Sequence, residues 1–114
     1  MATIVTQIVG SLGPWLVVQS GLLKPQDGRV IEGLLKTADW DRRSLVTLDI
    51  RKLEGFVYGA ERALRYAARI IHARPAGFSV IYDPKGPASE GLALSGVMAD
   101  MDIDFASGAA DPFN

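Results

Sequence analysis

The chain has 114 residues, 48% hydrophobic and 22% charged, which suits one domain built around a single core. Its formal net charge of -1 gives no general attraction to nucleic acid or to an anionic membrane. With no Cys and a single His72, a disulfide framework, a thiolate metal site and a His-rich metal site are all excluded. The opening MATIVTQIVG has neither a positive n-region nor a long apolar h-region, and no run of about 18 apolar residues occurs anywhere. A cytoplasmic location without a membrane span is therefore expected.

Taken in chain order, the β-branched stretch Thr3–Val9 predicts a first strand, and Gly10, Gly13 and Pro14 supply turn chemistry. Trp15–Ser20 predicts a second strand, close enough to the first for an antiparallel hairpin. Gly21–Pro25 breaks it. A helix is expected over Gln26–Ala38, with Val30, Ile31, Leu34, Leu35 and Ala38 on one side and Arg29, Glu32 and Lys36 on the other. Asp27 complements its dipole, while Gly28 and Gly33 make it dependent on packing rather than propensity.

After a polar connection, Leu45–Ile50 reads as a buried strand with Asp49 near its carboxyl end. The loop Arg51–Tyr58 leads to Gly59, and helical periodicity runs from there to Arg74. Ala60, Ala63, Leu64, Ala67, Ala68, Ile70 and Ile71 form its apolar face; Arg62, Arg65, Arg69 and His72 line the opposite one. Pro75 and Gly77 end the helix. Phe78–Tyr82 predicts a fourth strand, Ser89–Leu94 a short helix stopped by Gly96, and Met101–Ala106 an edge-like last strand. The alternation implies an α/β fold with a mixed, mostly parallel sheet of about five strands and helices packed on it. Residues 1–106 form the expected domain and 107–114 a flexible tail.

No catalytic motif stands out, so no enzymatic activity and no cofactor are expected. Gly10-x-x-Gly13 follows a strand but enters another strand, which fails the context of a dinucleotide or phosphate loop. Asp39 and Asp41 fall in a polar turn, and Asp49 is read as a structural acceptor for the adjacent loop. Asp100, Asp102 and Asp104 alternate and are expected to share a solvated strand face rather than a metal cage. Two features remain as contact surfaces. The loop offers Phe56 and Tyr58 as apolar anchors with Arg51 and Glu54 as a polar rim. The row Arg62, Arg65, Arg69 suits an acidic partner or an anionic ligand. Arg42 and Arg43 add no nucleic-acid signature.

Three segments together resemble the STAS family (sulphate transporter and anti-sigma factor antagonist domains). WLVVQSGLLKPQDGRVIEGLL is similar to its second strand, Gly-x-Leu turn and first helix. LVTLDIRKLEGFVYGAERAL is similar to its central strand ending in Asp, signature loop and second helix. GFSVIYDPKGPASEGLALSGV is similar to its fourth strand and a short helix ending in Leu-x-Leu-x-Gly. The resemblance spans about residues 3–106.

The resemblance implies a STAS-like fold and a non-enzymatic protein–protein interaction module, similar to an anti-sigma factor antagonist. Such a domain would bind an anti-sigma kinase or similar partner through the 51–59 loop and the helix after it. Arg51, Glu54, Phe56, Tyr58, Gly59, Arg62, Arg65 and Arg69 are the partner-binding residues this implies. Two departures from the family pattern stand out. Phosphorylatable members carry Ser or Thr at the start of the second helix; here Phe56, Val57, Tyr58 and Gly59 stand there, with Tyr58 at the phosphoacceptor-equivalent position. The C-terminal helix of many members is also missing after Ala106, which leaves apolar surface that a homodimer would cover. Two alternatives remain open: a stand-alone accessory subunit of a membrane lipid or anion transport system, and a small-ligand or nucleotide sensor at the helix start near Gly59.

Overall fold

A computed structural model describes residues 2–8, 13–37, 45–72 and 77–108. The turn at Gly10, the polar connection with Asp39, Asp41, Arg42 and Arg43, the helix end at Arg74 and Pro75, and the tail beyond Gly108 lie outside the described residues, as does the side chain of His72.

The elements in chain order are β1 (Thr3–Ile8), β2 (Pro14–Ser20), β3 (Leu22–Leu23), α1 (Asp27–Thr37), β4 (Val46–Asp49), β5 (Gly55–Phe56), α2 (Glu61–His72), β6 (Phe78–Tyr82), α3 (Ser89–Leu94) and β7 (Asp104–Ser107), with a 3-10 turn at Val97–Ala99. The fold is α/β. β1, β2, β4, β6 and β7 lie side by side in that order in a mixed sheet. β1 is an antiparallel edge strand, pairing Ile4 with Val18 and Thr6 with Leu16. The remaining neighbours are parallel, with Leu16 opposite Leu48, Leu48 opposite Val80 and Val80 opposite Phe105. The predicted hairpin and the strand–helix alternation are both present.

Strand alternation sorts the side chains onto two faces. Leu16, Val18, Val46, Leu48, Phe78 and Val80 share one face. They join Ile31 and Leu35 of α1, Leu64 and Ile71 of α2 and Leu92 of α3 in one core cluster. Trp15, Thr47, Asp49, Ser79 and Ile81 alternate with them and are buried on the other face. This double burial accounts for the nearly unbroken apolar reading of β4. Among the described residues no helix is long and apolar enough to cross a membrane.

Four local readings change. The break at Gly21–Pro25 and the loop at 51–58 each contain a two-residue strand, β3 and β5, which pair in parallel as a small second sheet. Strands this short carry no periodicity to read. The expected strand at 101–106 starts only at Asp104 and runs to Ser107. Asp100, Asp102 and Asp104 therefore do not share a strand face. Asp100 instead ends the 3-10 turn, with its Oδ1 accepting from the Asp102 amide at 2.9 Å. Finally, Asp27 is wholly buried, and its carboxylate accepts from the Lys24 amide at 2.8 Å, so it fixes the entry to α1 as well as complementing the dipole.

The two glycines of α1 have different surroundings. A Cβ on Gly33 meets nothing within 4 Å. Gly33→Ala is expected to raise stability by about 0.5–1 kcal/mol through helix propensity and the stiffer unfolded chain. The thermal midpoint should rise; an unchanged or lower midpoint would contradict the open surroundings of this position.

Candidate interaction surface

The loop that follows β4 is fixed at both ends by hydrogen bonds. At its start Asp49 is buried, and Arg51 grips it with a two-pronged fork: Nε to Oδ1 at 2.9 Å and an Nη to Oδ2 at 2.6 Å. The Arg51 amide adds a bond to Oδ1 at 3.1 Å, and a second guanidinium nitrogen reaches the Gly108 carbonyl at 3.3 Å. Burial pushes the Asp49 carboxyl upward, but the Arg51 side chain, amide and charge, together with the Trp15 indole, outweigh it and hold the group below its ordinary value. Asp49 is thus the structural acceptor expected from its position. Arg51 is turned toward Asp49 and the end of β7, away from the rest of the loop.

Glu54 is likewise engaged. Its amide donates to the Gly21 carbonyl at 2.9 Å, and its carboxylate accepts from the Gly21 amide. Gly21 adopts a φ of +95°, which a residue with a Cβ rarely takes. Phe56 then packs half-buried against the core and against α3, where a Cβ on Gly91 would lie 2.9 Å from the Phe56 carbonyl oxygen. Close approach at Gly91 is what lets α3 sit on β5.

Tyr58 follows, fully exposed at 100%, and Gly59 turns the chain into α2 with a φ of +85°. Phe56, Tyr58 and Gly59 face Gly91, Leu94 and Ser95 across an open groove of about 420 Å³. Leu94 is 80% exposed on its far wall. In the Leu-x-Leu pair only Leu92 is buried, because residues two apart cannot share a helix face.

The arginine row occupies a second groove, of about 490 Å³, between α1 and α2. Arg62, Arg65 and Arg69 form one wall, and Arg29 of α1 with Gln26 just before that helix the other. Tyr66 also lines it and donates its hydroxyl to Glu32 at 3.1 Å. That bond to Glu32 raises the Tyr66 hydroxyl above its ordinary range, while Arg29 and Arg69 pull the other way. Arg65 reaches Asp100 at 3.8 Å.

The eight residues singled out in the sequence therefore divide into three groups. Phe56, Tyr58 and Gly59 meet at the apolar groove. Arg62, Arg65 and Arg69 meet at the charged one, and Arg51 and Glu54 are held by bonds within the chain. Sequence reading missed Gly91 and Leu94, and it did not bring Arg29 to the α2 row, since only the helix pairing does that. Among the described residues no three His, Asp or Glu side chains gather into a metal site. No protein-family model matches the chain, and no curated protein or solved structure matches it either.

Proposed function

We propose that the chain is a non-enzymatic, STAS-like interaction module of the anti-sigma factor antagonist kind, which docks an anti-sigma kinase or similar protein through the 51–59 loop and α2. The observation that carries this reading is the pair Tyr58 and Leu94, exposed by 100% and 80% on either side of an open groove at the start of α2. Two large apolar groups held in water beside a groove are what a partner's hot spot covers. Burying both would contribute roughly 3–5 kcal/mol by area. Arg62, exposed one turn along, supplies a charged rim suited to an acidic partner. With Val57, Tyr58 and Gly59 where a phosphoacceptor Ser or Thr would stand, docking in this reading is not switched by serine phosphorylation at that point.

The test is capture of the partner with the wild-type chain, followed by surface plasmon resonance with the double variant Tyr58→Ser/Leu94→Ser. Binding should weaken by roughly 100-fold, the equivalent of about 3 kcal/mol. Equal affinity within a factor of about two would end this reading. Capture of a permease or transport ATPase, rather than a kinase, would move the module to a transport system.

A further inference from the structure

The groove between α1 and α2 differs in chemistry from the loop surface. Four guanidinium groups line it, Arg29 from one helix and Arg62, Arg65 and Arg69 from the other, and no carboxylate lines it. Two acids close to the groove are engaged. Glu32 accepts from Tyr66 and lies 3.8 Å from Lys36, and Asp100 lies 3.8 Å from Arg65. Among the described residues no acidic partner pairs with Arg29, Arg62 or Arg69. These guanidinium groups are exposed, so water screens their repulsion, and an anion seated among Arg29, Arg62 and Arg69 would meet several donors at once. The chain as a whole carries a slight negative charge, so this concentration is local.

We infer that this groove binds a free oligophosphate, a ligand with two or more phosphate groups in line. Its volume of about 490 Å³ falls within the range of small-molecule sites, roughly 300–1,000 Å³. Guanidinium groups suit phosphate because two N–H donors meet two oxygens at once. The spacing favours an extended anion over a single one. Arg62, Arg65 and Arg69 climb α2 on one face, and the first and last lie about 10 Å apart along the axis at 1.5 Å per residue. Arg29 closes the groove from α1. Arg29 and Arg69 both lie within electrostatic reach of the Tyr66 hydroxyl, as does the Glu32 carboxylate that accepts from it. This inference does not rest on the docking reading, because its residues are not Tyr58 and Leu94.

The experiment is isothermal titration of the full chain with inorganic triphosphate, with orthophosphate and sodium chloride at matched ionic strength as controls. Saturable 1:1 binding of triphosphate is expected, with orthophosphate much weaker. Arg29→Gln/Arg69→Gln should weaken binding by roughly 100-fold, since two charge-assisted contacts are lost. Both positions are exposed, and circular dichroism would confirm that the variant is folded. Tyr58→Ser/Leu94→Ser should bind triphosphate as the wild type does, so the two proposals fail separately. No saturable heat, an equal response to orthophosphate, undiminished binding by the folded arginine variant, or binding only to phosphatidylglycerol vesicles would each overturn the inference.

Discussion

Replacing Gly28 with valine is expected to cost about 2–3 kcal/mol of folding stability, the upper part of the range for overpacking. A Cβ at this position lies 2.9 Å from Tyr66 Cδ1, 3.1 Å from Tyr66 Cβ and 3.3 Å from the Cα of Ala63. The last two atoms are fixed to the α2 backbone, so they cannot swing away. The helices must separate, and both Ala63 and the core beneath it loosen. A branched side chain adds restricted χ1 freedom to the clash. Gly33→Ala, five residues along the same helix, should move stability in the opposite direction. Urea denaturation of both variants provides the check: midpoints that shift equally would refute the idea that Gly28 sets the distance between α1 and α2. The same separation would carry Arg29 away from Arg62 and Arg69, so the valine variant should also bind triphosphate more weakly.

The second large effect is expected at Asp49. Asp49→Asn removes the charge that Arg51 grips and leaves a mostly buried guanidinium with the neutral Gly108 carbonyl as an acceptor. Because Arg51 keeps that acceptor and some exposure, the cost is about 2 kcal/mol rather than the larger penalty of a wholly buried orphan. The pH dependence has a definite sign. The folded carboxyl is held below its ordinary value, so the pair stabilises the fold fully above the unfolded pKa, about 3.9. That share is lost as pH falls from there through the folded value. Wild type and Asp49→Asn should therefore differ most near neutrality and converge in acid. A constant gap between them from pH 7 down to about pH 3 would mean that Asp49 does not titrate as argued.

Much of this architecture could be read from residue order. The β-branched runs at 3–8 and 78–82, the paired apolar stripe of α2 and the glycine at position 96 each announce an element through a local rule. What escaped reading depends on distance. β3 and β5 exist only because Leu22 and Gly55 meet across more than thirty residues of chain, and neither stretch is long enough to alternate. Asp100, Asp102 and Asp104 have strand spacing but belong to a turn, where an Asp side chain bonding an amide two residues on competes with extended backbone. Of the site, the exposed arginine row of α2 was legible from the helical wheel. The arrival of Arg29 opposite it was not, since that follows from Gly28 packing under Tyr66. Leu94 was hidden for a similar reason, its exposure being set by how α3 rotates onto Phe56.

The small β3–β5 pair has a mechanical consequence. Glu54 holds Gly21 through both its amide and its carboxylate, Leu22 and Leu23 lie beside Gly55 and Phe56, and the Val57 amide reaches the Leu23 carbonyl at 3.4 Å. The segment carrying Phe56 and Tyr58 is therefore riveted to the stretch that enters α1. A load applied at Tyr58 is transmitted to the start of α1, and the amides of Gly21, Glu54 and Val57 should open to hydrogen exchange together, as one unit. In the proposed docking role, a protein seating on this segment would meet a surface already in shape and give up little conformational entropy. Variants of the loop that keep the rivet should accordingly alter how long a complex lasts more than how fast it forms.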